Sequence, residues 1–260
     1  MNIKMIVTDL DRTLLYPGEI VKRISDYSAK IFNRCRACGI KIVFATARPK
    51  RTVEPFCEII PADALILHNG AVIYLGDTLH TSIGIEPEIR DNILHSIAHD
   101  FPEATLSTEI EDALYANFDV SQIWNTLPTI RTDFTNLPNK PSDKIIIGVS
   151  SLVDIAQFSK YIPDNLYIEM SSGDNVNLAL IMNREATKWN AIQTAATHFG
   201  ISTTEIVAFG DDYNDISMLH GCGIGVAVAN AIDEAKAAAN DVCDTNIHDG
   251  VAKWLEENIS

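Results

Sequence analysis

Ile3-Lys4-Met5-Ile6-Val7-Thr8-Asp9-Leu10-Asp11-Arg12-Thr13 sets a short apolar run directly in front of two carboxylates. A near-continuous apolar stretch of this length reads as a strand buried on both faces of a parallel sheet. Towards the other end of the chain, Glu205-Ile206-Val207-Ala208-Phe209 leads in the same way into Gly210-Asp211-Asp212-Tyr213-Asn214-Asp215. Two such strands in one sheet bring their carboxylates together at the carboxyl ends, where open α/β sheets bind ligands. Negative charge gathered in a crevice is costly without a counter-charge, and a divalent cation supplies one.

Outward from these two runs the chain keeps an alternating rhythm. Apolar residues at Ile20, Ile24, Tyr27, Ile31 and Cys35 predict a helix over residues 20–38 that stops at Gly39. Residues 40–45 read as a second parallel strand ending at Thr46. A helix through Ile60 and a third strand over 64–67 follow. Strand, helix, strand, helix, strand builds a doubly wound sheet. After Asn69-Gly70 the rhythm breaks, and residues 71–74 and 78–83 read as short antiparallel strands around Gly76-Asp77.

Residues 84–185 hold helical stretches at 88–99 and 152–161 and strand-like runs at 115–118, 144–149 and 177–182, with turn clusters at 137–142 and 171–174. The expectation is a discontinuous α/β core, 1–83 and 186–260, with an inserted α+β domain over 84–185. A helix over 188–199 returns to the core. Strands at Val207 and 224–228, a helix over 230–240, an edge strand at 241–244 and a final helix over 251–258 complete it.

Asp9 and Asp11 stand two apart, so an extended strand would turn both to one cleft. One carboxylate there can attack phosphorus and form an aspartyl phosphate. A second can protonate the leaving oxygen and later activate water. Divided labour needs different environments: a metal on Asp9 keeps it ionised, and Asp11, touching the metal only through its backbone, carries the proton. Thr46 offers a hydroxyl and a nearby amide to a phosphoryl oxygen, and Ala47 is small enough for close approach. Lys188 opens a helix, where a cation is disfavoured by about 0.3–1 kcal/mol, which implies an anion in front of it. Asp211 completes the ligation of Mg²⁺, Asp215 orients it from behind, and Asn214 reaches the phosphate.

Composition limits the partners. The chain has 260 residues and a formal net charge of −15, which opposes nucleic acid and anionic membranes but allows a small phosphorylated metabolite in a locally cationic cleft. Its 47% hydrophobic and 21% charged residues are those of a globular protein. The first apolar run is too short to span a membrane, and with five cysteines, an odd number, the expectation is a cytoplasmic protein with reduced thiols. Cys35-Arg36-Ala37-Cys38 matches C-x-x-C but has no second ligand pair, so helix packing is the reading preferred there. His95 and His99, four apart, lack the glutamate of a metalloprotease helix and are expected to be solvated. Gly221-Cys222-Gly223-Ile224-Gly225 precedes a strand rather than following one and reads as a turn. Trp189 and Trp254 read as packing residues, and Trp124, in the inserted domain, as the one tryptophan to watch for substrate contact.

Taken in order, Asp9-Leu10-Asp11-Arg12-Thr13-Leu14, Phe44-Ala45-Thr46-Ala47-Arg48, Lys188 and Gly210-Asp211-Asp212-Tyr213-Asn214-Asp215 resemble the four motifs of the haloacid dehalogenase superfamily, and within it the Cof-type phosphatases. Asn69-Gly70-Ala71, residues 225–231 and Asp249-Gly250-Val251-Ala252 resemble that subgroup's accessory signatures. The resemblance implies a nucleophilic Asp9 and an acid/base Asp11 that binds Mg²⁺ through its carbonyl. It also implies phosphate contacts at Leu10, Thr46, Ala47, Lys188 and Asn214, metal ligation by Asp211, and a mobile cap between the second and third motifs. Two positions depart from it. Arg12 replaces a common glycine, so the backbone there either needs no positive φ or accepts strain, and the side chain is available to substrate. Trp189 follows Lys188 where glycine is common, after Asn183-Arg184-Glu185, which bears on the substrate rim. A Mg²⁺-dependent phosphatase of small phosphorylated metabolites, sugar phosphates foremost among them, is the leading expectation; a hexose phosphomutase on the same scaffold and a phospho-accepting signalling module are the alternatives.

Overall fold

The computed structural model describes residues 2–17, 23–122, 129–149, 152–172 and 177–259. It divides into two units, Met1–Thr81 with Thr187–Ser260, and Ser82–Ala186.

The first unit begins with β1 (Met5–Thr8), buried at every residue. Tyr16 and Arg23 pair in an antiparallel bridge, and α1 (Asp26–Ala37) starts only after Ser25, whose hydroxyl accepts the Ser28 amide at 3.0 Å. The expected start at residue 20 is therefore too early; Ile20 itself lies outside the described residues. β2 (Lys41–Ala45) follows. The helix expected through Ile60 shrinks to a 3₁₀ turn over Lys50–Thr52 and α2 (Glu54–Cys57), with Pro49 ahead of the first and Pro55 in the first turn of the second. β3 (Ala64–Leu67) is parallel to β2, β4 (Val72–Leu75) is antiparallel to β3, and β5 (Thr78–Ser82) forms the edge beyond a turn at Gly76, φ 57°.

The second unit contains α3 (Pro87–Asp100), β6 (Leu106–Ile110), β7 (Ala113–Ala116), β8 (Thr129–Arg131), β9 (Lys144–Val149), α4 (Leu152–Phe158), β10 (Leu166–Ser172) and β11 (Asn177–Asn183). Its sheet runs β10-β11-β9-β6-β7-β8. Ile93, Leu94 and Ile97 of α3 and Phe158 of α4 join Ile145, Ile147, Ala179 and Ile181 in one cluster, while Ile146, Leu180, Met182, Leu114 and Ala116 form another. The alternation along β9 and β11 divides the two clusters between opposite faces of the sheet. β6, β8 and β10 had no counterpart in the strand pattern expected from sequence. In β6 polar residues are buried with apolar ones, and Thr108 is satisfied there by Ser142 and the Lys144 carbonyl, both at 2.9 Å. His95 is exposed as expected, and its Nε2 also meets the Phe134 carbonyl at 3.1 Å. Trp124 lies outside the described residues.

The chain re-enters the first unit through α5 (Lys188–Phe199), capped by Thr187 and stopped by Gly200 at φ 65°. β12 (Ile206–Gly210), α6 (Ile216–Gly221), β13 (Ile224–Val228), α7 (Asp233–Ala238), β14 (Asp241–Cys243) and α8 (Gly250–Asn258) complete it. α7 is shorter than expected because both flanking asparagines serve tertiary contacts: Asn230 donates to the Arg12 carbonyl, and Asn240 accepts the Gly225 amide. The eight strands order as β14-β13-β12-β1-β2-β3-β4-β5. β1 lies parallel between β12 and β2, so the chain runs outward on both sides of it and leaves a crevice at its carboxyl end. Met5, Val7, Val43 and Ala208 pack against Ala191, Ile192, Ala195 and Met218 of α5 and α6. Trp189 also packs against this cluster, and a Cβ on Gly221 would lie 2.8 Å from its indole. The position expected to shape the substrate rim is thus filled by a ring that stands against Gly221. Trp254 is buried and donates to Asp241 at 2.7 Å.

Candidate active site

Asp9 follows β1 directly, its amide held by the Phe209 carbonyl of β12 at 3.0 Å. Its side chain is buried, and Lys188 Nζ donates to Asp9 Oδ1 and to Asp215 Oδ1, each at 2.7 Å. Lys188 is 1% exposed. Burial by itself would push its ammonium toward neutrality, but the carboxylates of Asp215 and Asp9 outweigh it and raise the pKa above the ordinary lysine value.

Asp215 is held from both ends. Its second oxygen accepts the amides of Asp211 at 2.8 Å and Asp212 at 3.1 Å. Gly210 is required beneath it, because a Cβ there would lie 2.5 Å from the Asp215 Cβ. Asp211 follows β12 and is buried; its Oδ1 accepts the Thr13 hydroxyl at 2.7 Å, and its Oδ2 lies 3.7 Å from Arg12 Nε. Carboxylate oxygens of Asp9, Asp211 and Asp215 lie within 4.8 Å of one another. Burial raises the pKa of Asp9 well above the usual carboxylate range despite Lys188, with Asp215 and Asp211 adding to the rise. Burial and Asp215 raise Asp211 to about 7, against the Thr13 hydrogen bond and Arg12. A buried set of oxygen donors in which negative charge is crowded suits a hard divalent cation such as Mg²⁺. The carboxylates of Asp9, Asp211 and Asp215 could hold one, and both oxygens of Asp215 already accept, from Lys188 and from the amides of Asp211 and Asp212.

Asp11 stands differently from the expectation. The strand ends at Thr8 and the chain turns at once: the amides of Thr13, Leu14 and Leu15 all point at the Leu10 carbonyl. Asp9 and Asp11 therefore do not share an extended face. The Asp11 carboxylate instead meets Arg48, Nε to Oδ2 at 2.6 Å and Nη2 to Oδ1 at 2.7 Å. Burial works against the guanidinium charge, but Asp11 and Asp9 hold its pKa above the ordinary value. Arg48 was visible in the second motif without a role, and only the fold sets it against Asp11.

Thr46, buried at the end of β2, accepts the Arg48 amide on its hydroxyl at 3.2 Å, and its carbonyl accepts the Asn69 amide at 3.0 Å. Ala47 is half-buried between them, and Leu10 is buried. Asn214 donates to Asn69 Oδ1 at 2.9 Å, so its amide is already engaged by a neighbour in the same unit. Asn69 has φ 57°, and a Cβ on the adjacent Gly70 would lie 2.3 Å from the Thr187 carbonyl. This close approach binds the Asn69 turn to the start of α5 and explains the accessory Asn69-Gly70 signature. Thr13 and Asn69, like Arg48, were not among the site residues expected from sequence. Arg12 has φ 60°: of the two alternatives for this backbone, the left-handed one holds.

A buried lysine among carboxylates thus stands at the reversal point of a doubly wound α/β sheet. The sequence profile of the haloacid dehalogenase-like hydrolases matches residues 6–255, and the chain belongs to that family. It is similar to the pyridoxal phosphate phosphatase YbhA of Escherichia coli, with 28% identity over 100% of both chains. It is also similar to the 5-amino-6-(5-phospho-D-ribitylamino)uracil phosphatase YitU of Bacillus subtilis, with 26% identity over 98% of this chain and 97% of the relative. Among solved structures, the subclass IIB sugar phosphatase BT4131 superposes with a TM-score of 0.82 at 25% identity, covering 98% of each chain. Family and relatives together make the chain a Cof-type phosphatase, a phosphoric monoester hydrolase.

Proposed function

We propose that the chain is a Mg²⁺-dependent phosphatase that hydrolyses small phosphorylated metabolites, sugar phosphates foremost, through an aspartyl phosphate on Asp9. The observation that carries this reading is the buried Asp9–Lys188–Asp215 contact, with Asp211 beside it, at the carboxyl end of β1. The phosphatases it is similar to are named for pyridoxal phosphate, a phosphoribitylamino uracil and sugar phosphates, all small esters.

Asp9 attacks phosphorus with a carboxylate oxygen, and Asp11, once it turns from Arg48 and is protonated, gives its proton to the departing ester oxygen. Lys188 offsets charge on the transferring group, and the Thr46 hydroxyl and the backbone around Leu10 and Ala47 donate to its oxygens. Asn214 turns from Asn69 to the same group. Asp11 then takes a proton from water, which attacks the aspartyl phosphate and regenerates Asp9. Asp9, Asp211 and the Asp11 carbonyl would hold Mg²⁺, which when bound would supply electrophilic stabilisation of phosphoryl charge. The unit Ser82–Ala186 is proposed as the family's cap, the source of selection among esters.

A panel of phosphorylated metabolites incubated with Mg²⁺, read as liberated orthophosphate, tests the proposal. Release from sugar phosphates that vanishes in Asp9→Asn is the expected result. Orthophosphate release by Asp9→Asn at the unaltered rate overturns Asp9 as nucleophile, and isomerised sugar phosphate without orthophosphate points to a mutase.

A further inference from the structure

Arg12 occupies a backbone position that suits glycine. Its φ of 60° costs a residue bearing a Cβ about 1 kcal/mol or more. The conformation is enforced by its neighbours: the following amides converge on the Leu10 carbonyl, and the Arg12 carbonyl accepts Asn230 Nδ2 at 2.8 Å. The main chain gains nothing from arginine here, so a reason for it lies in the side chain. Arg12 Nε is 3.7 Å from Asp211 Oδ2, while the side chain stays half exposed. The other Asp211 oxygen is already taken by Thr13 at 2.7 Å, which leaves Oδ2 as the oxygen turned toward added positive charge.

On the reading of Asp211 as a cation ligand, from which this inference follows, guanidinium and cation compete for one carboxylate. We propose that Arg12 is a built-in competitor of the divalent cation at Asp211, raising the free Mg²⁺ concentration at which the site fills. Without the cation it offsets part of the charge crowded among Asp9, Asp211 and Asp215. With the cation present, two like charges face one oxygen, and the exposed guanidinium must withdraw into solvent. Lys188 cannot serve this purpose, since it is buried and fixed between Asp9 and Asp215.

Equilibrium binding of Mg²⁺ to the full chain, measured calorimetrically without any ester, separates charge from backbone. Arg12→Gln removes the charge and keeps a Cβ in the left-handed conformation, Arg12→Gly removes both, and Arg12→Lys retains the charge. The expected result is about three- to fivefold tighter Mg²⁺ binding in Arg12→Gln and Arg12→Gly, little change in Arg12→Lys, and a smaller difference at high ionic strength, where an exposed charge is screened. Equal or weaker binding in Arg12→Gln overturns the inference, as does a gain confined to Arg12→Gly, which assigns the effect to backbone relief. If the unaltered protein and all three variants bind no Mg²⁺, the cation-site reading falls and this inference with it, a pattern distinct from binding that is present but insensitive to Arg12.

Discussion

Arg48 grips both carboxylate oxygens of Asp11, at 2.6 and 2.7 Å, from a loop 37 residues further along the chain. The fork-shaped guanidinium fixes the direction of Asp11 as well as its distance, which a lysine's single ammonium cannot do. Both side chains remain partly exposed, so the pair contributes little to stability, under about 1 kcal/mol. On the role proposed for Asp11, its effect belongs to orientation. Arg48→Ala is expected to lower kcat by about tenfold, with partial recovery in Arg48→Lys and a thermal midpoint close to that of the unaltered protein. Steady-state kinetics beside a melting curve checks this; a large loss of stability at unchanged kcat contradicts it.

Asp215 unites the ammonium of Lys188 with two backbone amides of the fourth motif. In Asp215→Asn an amide group must face either a cation or an N–H donor, so one buried contact becomes repulsive. A loss of about 2–3 kcal/mol is expected in denaturant unfolding, together with loss of orthophosphate release. Unfolding free energies within about 0.5 kcal/mol of each other would show that Asp215 does not organise this loop.

Gly210 matters for space, since no positive φ is involved. An alanine methyl would stand 2.5 to 2.7 Å from three atoms of Asp215. Gly210→Ala is therefore expected to displace that carboxylate and to cost about 1–3 kcal/mol through overpacking. Activity should fall with it, and a crystal structure of the variant should show Asp215 moved from Lys188.

Thiol chemistry offers a test independent of catalysis. Burial raises Cys222 and Cys243 to about 12, and burial with the nearby Glu54 raises Cys57 to about 11. A raised thiol pKa means the neutral, unreactive form at pH 8, and protection is lost only as pH climbs toward those values. Iodoacetamide at pH 8 should label exposed Cys38 first and leave Cys222 and Cys243 unlabelled until the protein unfolds, as read by peptide mass spectrometry. Early labelling of Cys222 would contradict its burial in the cluster formed by α5, α6 and the sheet.

Local pattern made much of the core legible. The apolar runs that become β1, β2, β3, β12 and β13 are continuous because both faces of a parallel sheet are covered, and residue order alone carries that signal. Asp9, Lys188 and Asp211 were legible as well, because each stands where an element begins or ends. The strands of the second unit were less so. β6 mixes buried serine, threonine and glutamate with leucine and isoleucine, so its polar satisfaction depends on residues far away in sequence.

Sequence by itself determined the alternation of strands and helices, the family, and part of the set of polar residues that meet in one site, Asp9, Lys188, Asp211 and Asp215 among them. Tertiary structure decided how they are paired: Arg48 with Asp11, Thr13 and Arg12 with Asp211, Asn69 with Asn214, and Asp215 with Lys188. The physical reason is range. Hydrophobic period and capping act within a few residues, whereas these contacts join groups brought within hydrogen-bonding or ion-pairing distance only after the sheet has assembled, and nothing local encodes which acceptor a donor will meet.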